Sequence, residues 1–413
     1  MRPLLPLTYL LCAAAAFLLG SAGVMWVAPE LSGHYYHPRL LALTHTVTLG
    51  WITLAIMGAS YQLIPIVLQR PIWSERLARW QLAVLAIAIS GMAGHFLLGT
   101  WPGLAGAAGL MVVGVSLHLL NVSLSARGLA QWTFTARLAL LGYVGLAATT
   151  IFGSILALNH VRPFLPPTLF PILHAHVQLA LLGWVAPMIL GVSARVYPMF
   201  LLAPEPSPWA SRSQLWGVTL GVPSVVVGLL TERPRLLVAG ALAVAIAAVA
   251  HAAWVFEMVR ARKRPGLDWG LRFTLTGTAF LVAATALGLA LALDLLSGPR
   301  VALTYAVLML GGWISLTVAG MMLKIVPFLV WYRAYGPRAG RERVPTLAEI
   351  SSPQIEGLAY VALTTGVALL AIAVFEGDAT WIRAAGFVVT VGAIAFATAL
   401  GRVTSVLGRE TCT

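Results

Sequence analysis

The chain has 413 residues, of which 60% are hydrophobic and only 9% charged, against about 25% charged in a soluble domain. With a mean hydropathy of +0.90, its apolar surface is too large for one water-facing fold, and no separate soluble domain is left over. A net charge of +13 does not point to nucleic acid here, because the placement of that charge follows membrane topology. In chain order, apolar runs fall near 5–29, 39–68, 79–99, 102–126, 132–158, 168–202, 211–231, 234–261, 268–296, 300–333, 354–376 and 380–407. Most are about 20 to 30 residues long, which suits a hydrocarbon core about 30 Å thick at about 1.5 Å per helical residue. Backbone polar groups in lipid must be satisfied within the spanning structure, and these runs are too long for barrel strands. The expected fold class is all-α integral membrane, one domain of about twelve transmembrane helices in contact with the lipid bilayer.

Lysine and arginine are unevenly placed. Arg2, the even-numbered loops and the C-terminal tail carry 18 of the 26, the odd-numbered loops carry 6, and Arg195 and Lys324 sit inside helices. That asymmetry predicts cytoplasmic N- and C-termini in a bacterial-type inner membrane. Two clusters, Arg260, Arg262, Lys263 and Arg264, then Arg333, Arg338, Arg341 and Arg343, read as topology determinants near lipid headgroups. Cys12 and Cys412 form no CxxC, no haem-attachment CxxCH and no disulfide framework. The first span begins like a signal peptide but continues apolar past residue 20, so it is read as a spanning anchor.

Three segments share one frame: LGWITLAIMGASYQLIPIVL, LGWVAPMILGVSARVYPMFL and GGWISLTVAGMMLKIVPFLV. Gly50-Trp51, Gly183-Trp184 and Gly312-Trp313 align, as do Gly58, Gly191 and Gly320, and Pro65, Pro198 and Pro327, always with offsets of 133 and then 129. These are the second, sixth and tenth spans. The repeat unit is therefore four helices, about 1–128, 129–264 and 265–413, and predicts a pseudo-threefold arrangement. The glycines allow close helix approach in lipid. The prolines are expected to mark the cytoplasmic helix ends. Gln62, Arg195 and Lys324 occupy one repeat position, either facing the protein interior or snorkelling to the interface.

Three of the nine histidines are the most informative: His45 in the second span, and His174 and His176 in the sixth. His174 and His176 are two residues apart, about 200° around a helix, so one helix would present imidazoles on opposite sides. His45 aligns with Gln178, two positions from His176, an axial offset of about 3 Å. Two imidazoles at nearly one depth could ligate a haem iron from both sides, while His174 would serve as a single axial ligand, a metal ligand, or neither. The third copy has Leu303, Tyr305 and Val307 at these positions. Hydrogen-bonded interfacial histidines are the competing interpretation. His34 and His37, in an i, i+3 pair, and His95 are candidates for copper, or wet loop and helix-end residues. His118 and His251 are equivalent, either relaying protons or reflecting the repeat. His160 is expected in an external loop.

The stretch PRLLALTHTVTLGWITLAIMGASYQL resembles the second helix of the catalytic subunit of haem-copper oxidases, nearest the C-family oxidases and nitric oxide reductases. LHAHVQLALLGWVAPMILGVSARVYPMF is similar to that family's His-x-His helix. The resemblance implies that His45 and His176 ligate a low-spin haem b and that His174 holds a second haem. A periplasmic cytochrome or cupredoxin would then be the electron donor, and the external Arg39 and Arg162 could pair with haem propionates or equally contact lipid headgroups. The family's copper ligands are missing: the seventh span, SQLWGVTLGVPSVVVGLL, has no histidine and the chain contains no His-His pair. The resemblance thus implies haem binding, in respiratory electron transfer or small-gas (O2/NO) redox chemistry, more than turnover at a binuclear centre. The alternatives are a transporter of a metal or small solute, or a non-catalytic partner or assembly protein of a respiratory complex.

Overall fold

A computed structural model describes residues 4–68, 70–129, 131–166, 168–263 and 266–410. Arg2, Arg264 and Cys412 lie outside the described residues. Among the described residues, twelve helices are long and apolar enough to cross a membrane: α1 Leu4–Trp26, α2 Pro38–Ile66, α3 Glu75–Leu98, α4 Trp101–Ser125, α5 Phe134–Val161, α6 Phe170–Leu201, α7 Pro208–Leu230, α8 Pro234–Arg260, α9 Trp269–Ala292, α10 Pro299–Ala334, α11 Pro353–Glu376 and α12 Ala379–Gly408. The chain is an all-α, multi-pass membrane protein. The single β feature among the described residues is an isolated bridge between Ala339 and Glu342. His160, expected in a loop, instead sits in the last turn of α5, because the helix runs on past the apolar stretch that marked it in the sequence.

Local chemistry explains the boundaries. Helices α2, α7, α8, α10 and α11 each begin at proline, whose missing N–H costs nothing in a first turn. The Thr133 hydroxyl accepts the Ala136 N–H at 3.2 Å at the start of α5, and Asp268 Oδ1 accepts the Leu271 N–H at 3.1 Å ahead of α9, both as N-caps. The α3–α4 and α11–α12 turns are made by Gly99 at φ 65° and Gly377 at φ 76°, a conformation glycine adopts without a Cβ penalty. Pro65, Pro198 and Pro327 lie inside α2, α6 and α10. In α2 and α6 the helix continues only a few residues beyond them. In α10 it runs on to Ala334, so there the proline is interior and does not mark an end.

The repeat is also written in the backbone. Helices α2, α6 and α10 each contain a π-helical segment, at Thr46–Thr53, Leu179–Val185 and Leu308–Ser315. Applying the offsets of 133 and 129 carries the first segment onto the second and third. Each holds the Gly-Trp pair. A π turn takes one more residue than an α turn, so each helix is locally widened where its tryptophan is placed. Trp51, Trp184 and Trp313 are all fully buried.

By contacts the chain forms two compact units, residues 1–75 with 267–277 and 306–413, and residues 76–266 with 278–305. In the first unit Trp51 stacks on Phe17 of α1 with centroids 4.5 Å apart. It meets Phe396 of α12 at 6.0 Å, and its Nε1 donates to Ser315 Oγ of α10 at 3.0 Å. In the second unit Leu138 of α5, Ala175, Leu179 and Leu190 of α6, and Val218, Val222 and Val226 of α7 form a buried core cluster.

The second repeat-related glycine packs in the same way in each copy. A Cβ on Gly58 would lie 2.6 Å from Tyr9 Cβ of α1, on Gly191 3.0 Å from Leu138 Cβ of α5, and on Gly320 2.4 Å from the Gly270 carbonyl of α9. Each glycine therefore lets the second helix of its repeat press against the first. Close approach of this kind is a main source of helix association in lipid, where no hydrophobic drive exists.

Candidate functional site

In the second unit, His176 of α6 lies over Gly153 of α5. A Cβ at Gly153 would sit 3.0 Å from His176 Cε1. His176 Nδ1 is 3.1 Å from the Thr149 carbonyl oxygen, one turn earlier on α5. A carbonyl can only accept, so Nδ1 carries the proton and the neutral ring keeps its lone pair on Nε2. The equivalent residue of the third copy, Tyr305, packs over Gly288 of α9 at 2.9 Å, and that of the first, Leu43, over Gly23 of α1 at 2.8 Å. A glycine on the first helix of each repeat thus cradles this position, and only the second copy fills it with an imidazole. Tyr305 donates its hydroxyl to Gln178 Oε1 at 3.3 Å. Gln178 stands where the first copy has His45.

In the first unit, His45 Nδ1 is 2.7 Å from the Leu41 carbonyl oxygen, one turn back along α2. The same logic puts the proton on Nδ1 and the lone pair on Nε2. His45 immediately precedes the first π segment. His174, in the second unit, is half-buried, its ring 6.1 Å from that of Phe170. The signals that sequence reasoning missed here are the cradling glycine Gly153 and the carbonyl of Thr149, both on a neighbouring helix.

The other candidates are placed as follows. His34 Nδ1 accepts the Tyr36 N–H at 3.1 Å, and its ring stacks on Tyr35. Burial pushes the Tyr35 and Tyr36 hydroxyls above the usual phenol range. His37 Nδ1 lies 3.8 Å from Glu30 Oε1, to which Arg39 donates at 3.3 Å. Arg39 also covers the Trp26 ring, 5.2 Å from its centroid, so its charge is spent on the α1–α2 connection. Arg162 is exposed at the end of α5. His95, in the second unit, bonds Thr100 Oγ1 at 2.6 Å in the α3–α4 turn, while His160 stacks on Trp101 with centroids 4.4 Å apart. Among the described residues no group of three or more His, Cys, Asp or Glu side chains is gathered as a metal site.

Gln62, Arg195 and Lys324 share a repeat position but not an environment. Gln62 is buried. Arg195 is 60% exposed, 3.9 Å from Glu205, which matches snorkelling. Lys324 is drawn inward: its Nζ donates to Asp268 Oδ2, its stem lies along Gly270, and buried Glu356 of α11 feels both charges. A family-model scan finds no match to the chain, and a search of curated proteins finds none.

Proposed function

We propose that the chain is a haem b-binding membrane protein acting in respiratory electron transfer or in redox chemistry of O2 or NO. His45 and His176 would hold haem iron, and His174 would belong to a second, more open site. The observation that carries this is the shared hydrogen bond. In both residues a backbone carbonyl holds the Nδ1 proton, which fixes the ring and presents the Nε2 lone pair as a metal-ligating histidine does. Carbonyl acceptance also raises imidazole basicity, which would strengthen each ring's hold on a metal ion. The Gly153 cradle supports the same assignment, because it leaves room for the His176 ring and holds it against α5. Haem supplies a one-electron couple whose potential is tuned by its axial ligands and surroundings. The proposed donor is a periplasmic cytochrome or cupredoxin, and the proposed setting an inner membrane with both termini cytoplasmic.

The test is the visible spectrum of the purified protein, oxidised and dithionite-reduced, with a pyridine haemochrome for haem type and stoichiometry. The expected result is a b-type spectrum that is lost or halved in His45→Ala and His176→Ala, with any carbon monoxide shift abolished by His174→Ala. A colourless protein from haem-replete cells sinks the proposal.

A second reading, a transporter of a metal or small solute, is favoured by the Lys324, Asp268 and Glu356 cluster of the first unit, since charge buried in a membrane helix commonly marks a solute or proton path. Solute uptake into proteoliposomes that Lys324→Met abolishes would support it over the haem proposal.

A further inference from the structure

Helices α7 and α8 form an antiparallel hairpin whose register is set by glycine. A Cβ on Gly217 would meet Ala247 Cβ at 2.5 Å, on Gly221 the Gly240 carbonyl at 3.1 Å, and on Gly228 the Leu237 N at 2.5 Å. Continued by one turn, that register sets Gln214 of α7 against the Ala247 and His251 face of α8. Gln214, His251 and Trp254 are 0%, 1% and 2% exposed. The His251 and Trp254 rings lie 5.6 Å apart, and Trp254 is stacked on Tyr197 of α6.

Both ring nitrogens of His251, both amide atoms of Gln214 and the indole Nε1 of Trp254 lack a hydrogen-bond partner in the protein. Unmet polar groups in an apolar interior are costly, and each calls for an explanation. Their inventory is lopsided. The amide N–H2, the indole N–H and one imidazole N–H donate, whereas the amide oxygen and one imidazole nitrogen accept. The same layer in α3 and α4 shows the origin of the imbalance. Gln81, His118 and Asn121 stand 133 residues earlier than Gln214, His251 and Trp254 and are also fully buried. Where the first copy has an amide at Asn121, which both donates and accepts, the second has an indole, which only donates.

We propose that Gln214, His251 and Trp254 form an internal water-binding site between α7 and α8. A water oxygen accepts from the excess donors while its hydrogens serve the amide oxygen and the imidazole nitrogen, and buried waters characteristically make two to four such bonds. No charged side chain is among these three residues, so neutral water fits better than an ion.

The experiment is water-edited solid-state NMR on the 15N-histidine-labelled protein in lipid, with His251 assigned through its backbone and the ring nitrogens read for transfer from water. Transfer to His251 is expected in the wild type and should fall at least several-fold in Gln214→Leu. That variant should also lower the melting temperature, because the water loses a partner. Absence of transfer to His251 in the wild type overturns the proposal without reference to any variant. Undiminished transfer in Gln214→Leu, or a raised melting temperature, overturns the site as drawn.

Discussion

At the scale of single residues, His176 and Trp51 are each held by a contact from a neighbouring helix. Gly153→Ala would force the His176 ring away from α5 by a few tenths of an ångström and stretch its bond to Thr149. With His176 holding haem as proposed, disturbing this outer partner would cost about tenfold or more in affinity. Haem titration of the apo-protein should show that loss with the fold intact by circular dichroism. Trp51→Phe removes the donor to Ser315 and should cost about 1 kcal/mol. A melting curve reads this, and the Trp51→Phe, Ser315→Ala double variant should be less than additive. Gly50-Trp51 and its two copies were legible in the sequence because a rare residue recurred at fixed offsets. The cradle at Gly153 was not: the helix that carries it is offset differently from copy to copy, and glycine is common throughout, with 39 in the chain.

At the scale of elements, the spans themselves were the easiest feature to read. A stretch of 18 or more apolar residues has few alternatives to a membrane helix, and the twelve observed helices lie within a few residues of the expected ones. Errors gathered at ends such as His160, where helix geometry outlasts apolar composition. The π segments left no trace in composition, because one extra residue in a turn changes no side-chain type. The environments of Gln62, Arg195 and Lys324 were equally hidden, since partners such as Asp268 come from other helices. The repeat-related glycines give an ordered prediction. Alanine should harm most at Gly320, where the Cβ would meet a backbone carbonyl at 2.4 Å. Gly58, at 2.6 Å from a Cβ, should come next, and Gly191, at 3.0 Å, should suffer least. Overpacking of this type costs roughly 1–3 kcal/mol. Thermal unfolding in detergent should reproduce the order, and equal effects at all three would argue that the contacts are not what hold these helices together.

At the scale of the whole molecule, charge placement makes a topology prediction that helix geometry does not. A fluorescent protein fused at the C-terminus should glow, since that tail and the even-numbered loops carry most of the arginine and lysine. Alkaline phosphatase inserted after Arg162 should be active. The reverse pattern would invert the chain and move His45 and His176 to the cytoplasmic half.

Among the described residues four π segments occur, and three of them are related by the repeat. Those three fall at one register in α2, α6 and α10, although the loops, the charges and even the histidines differ between copies, while the fourth, Gly217–Gly221, lies in α7 with no counterpart in α3 or α11. Three independent insertions landing on the same turn would require two coincidences, whereas one widened turn in a repeated four-helix unit requires none. The widened turn around the Gly-Trp pair is thus a property of the repeated unit, and the histidines that distinguish the copies sit on a backbone common to all three.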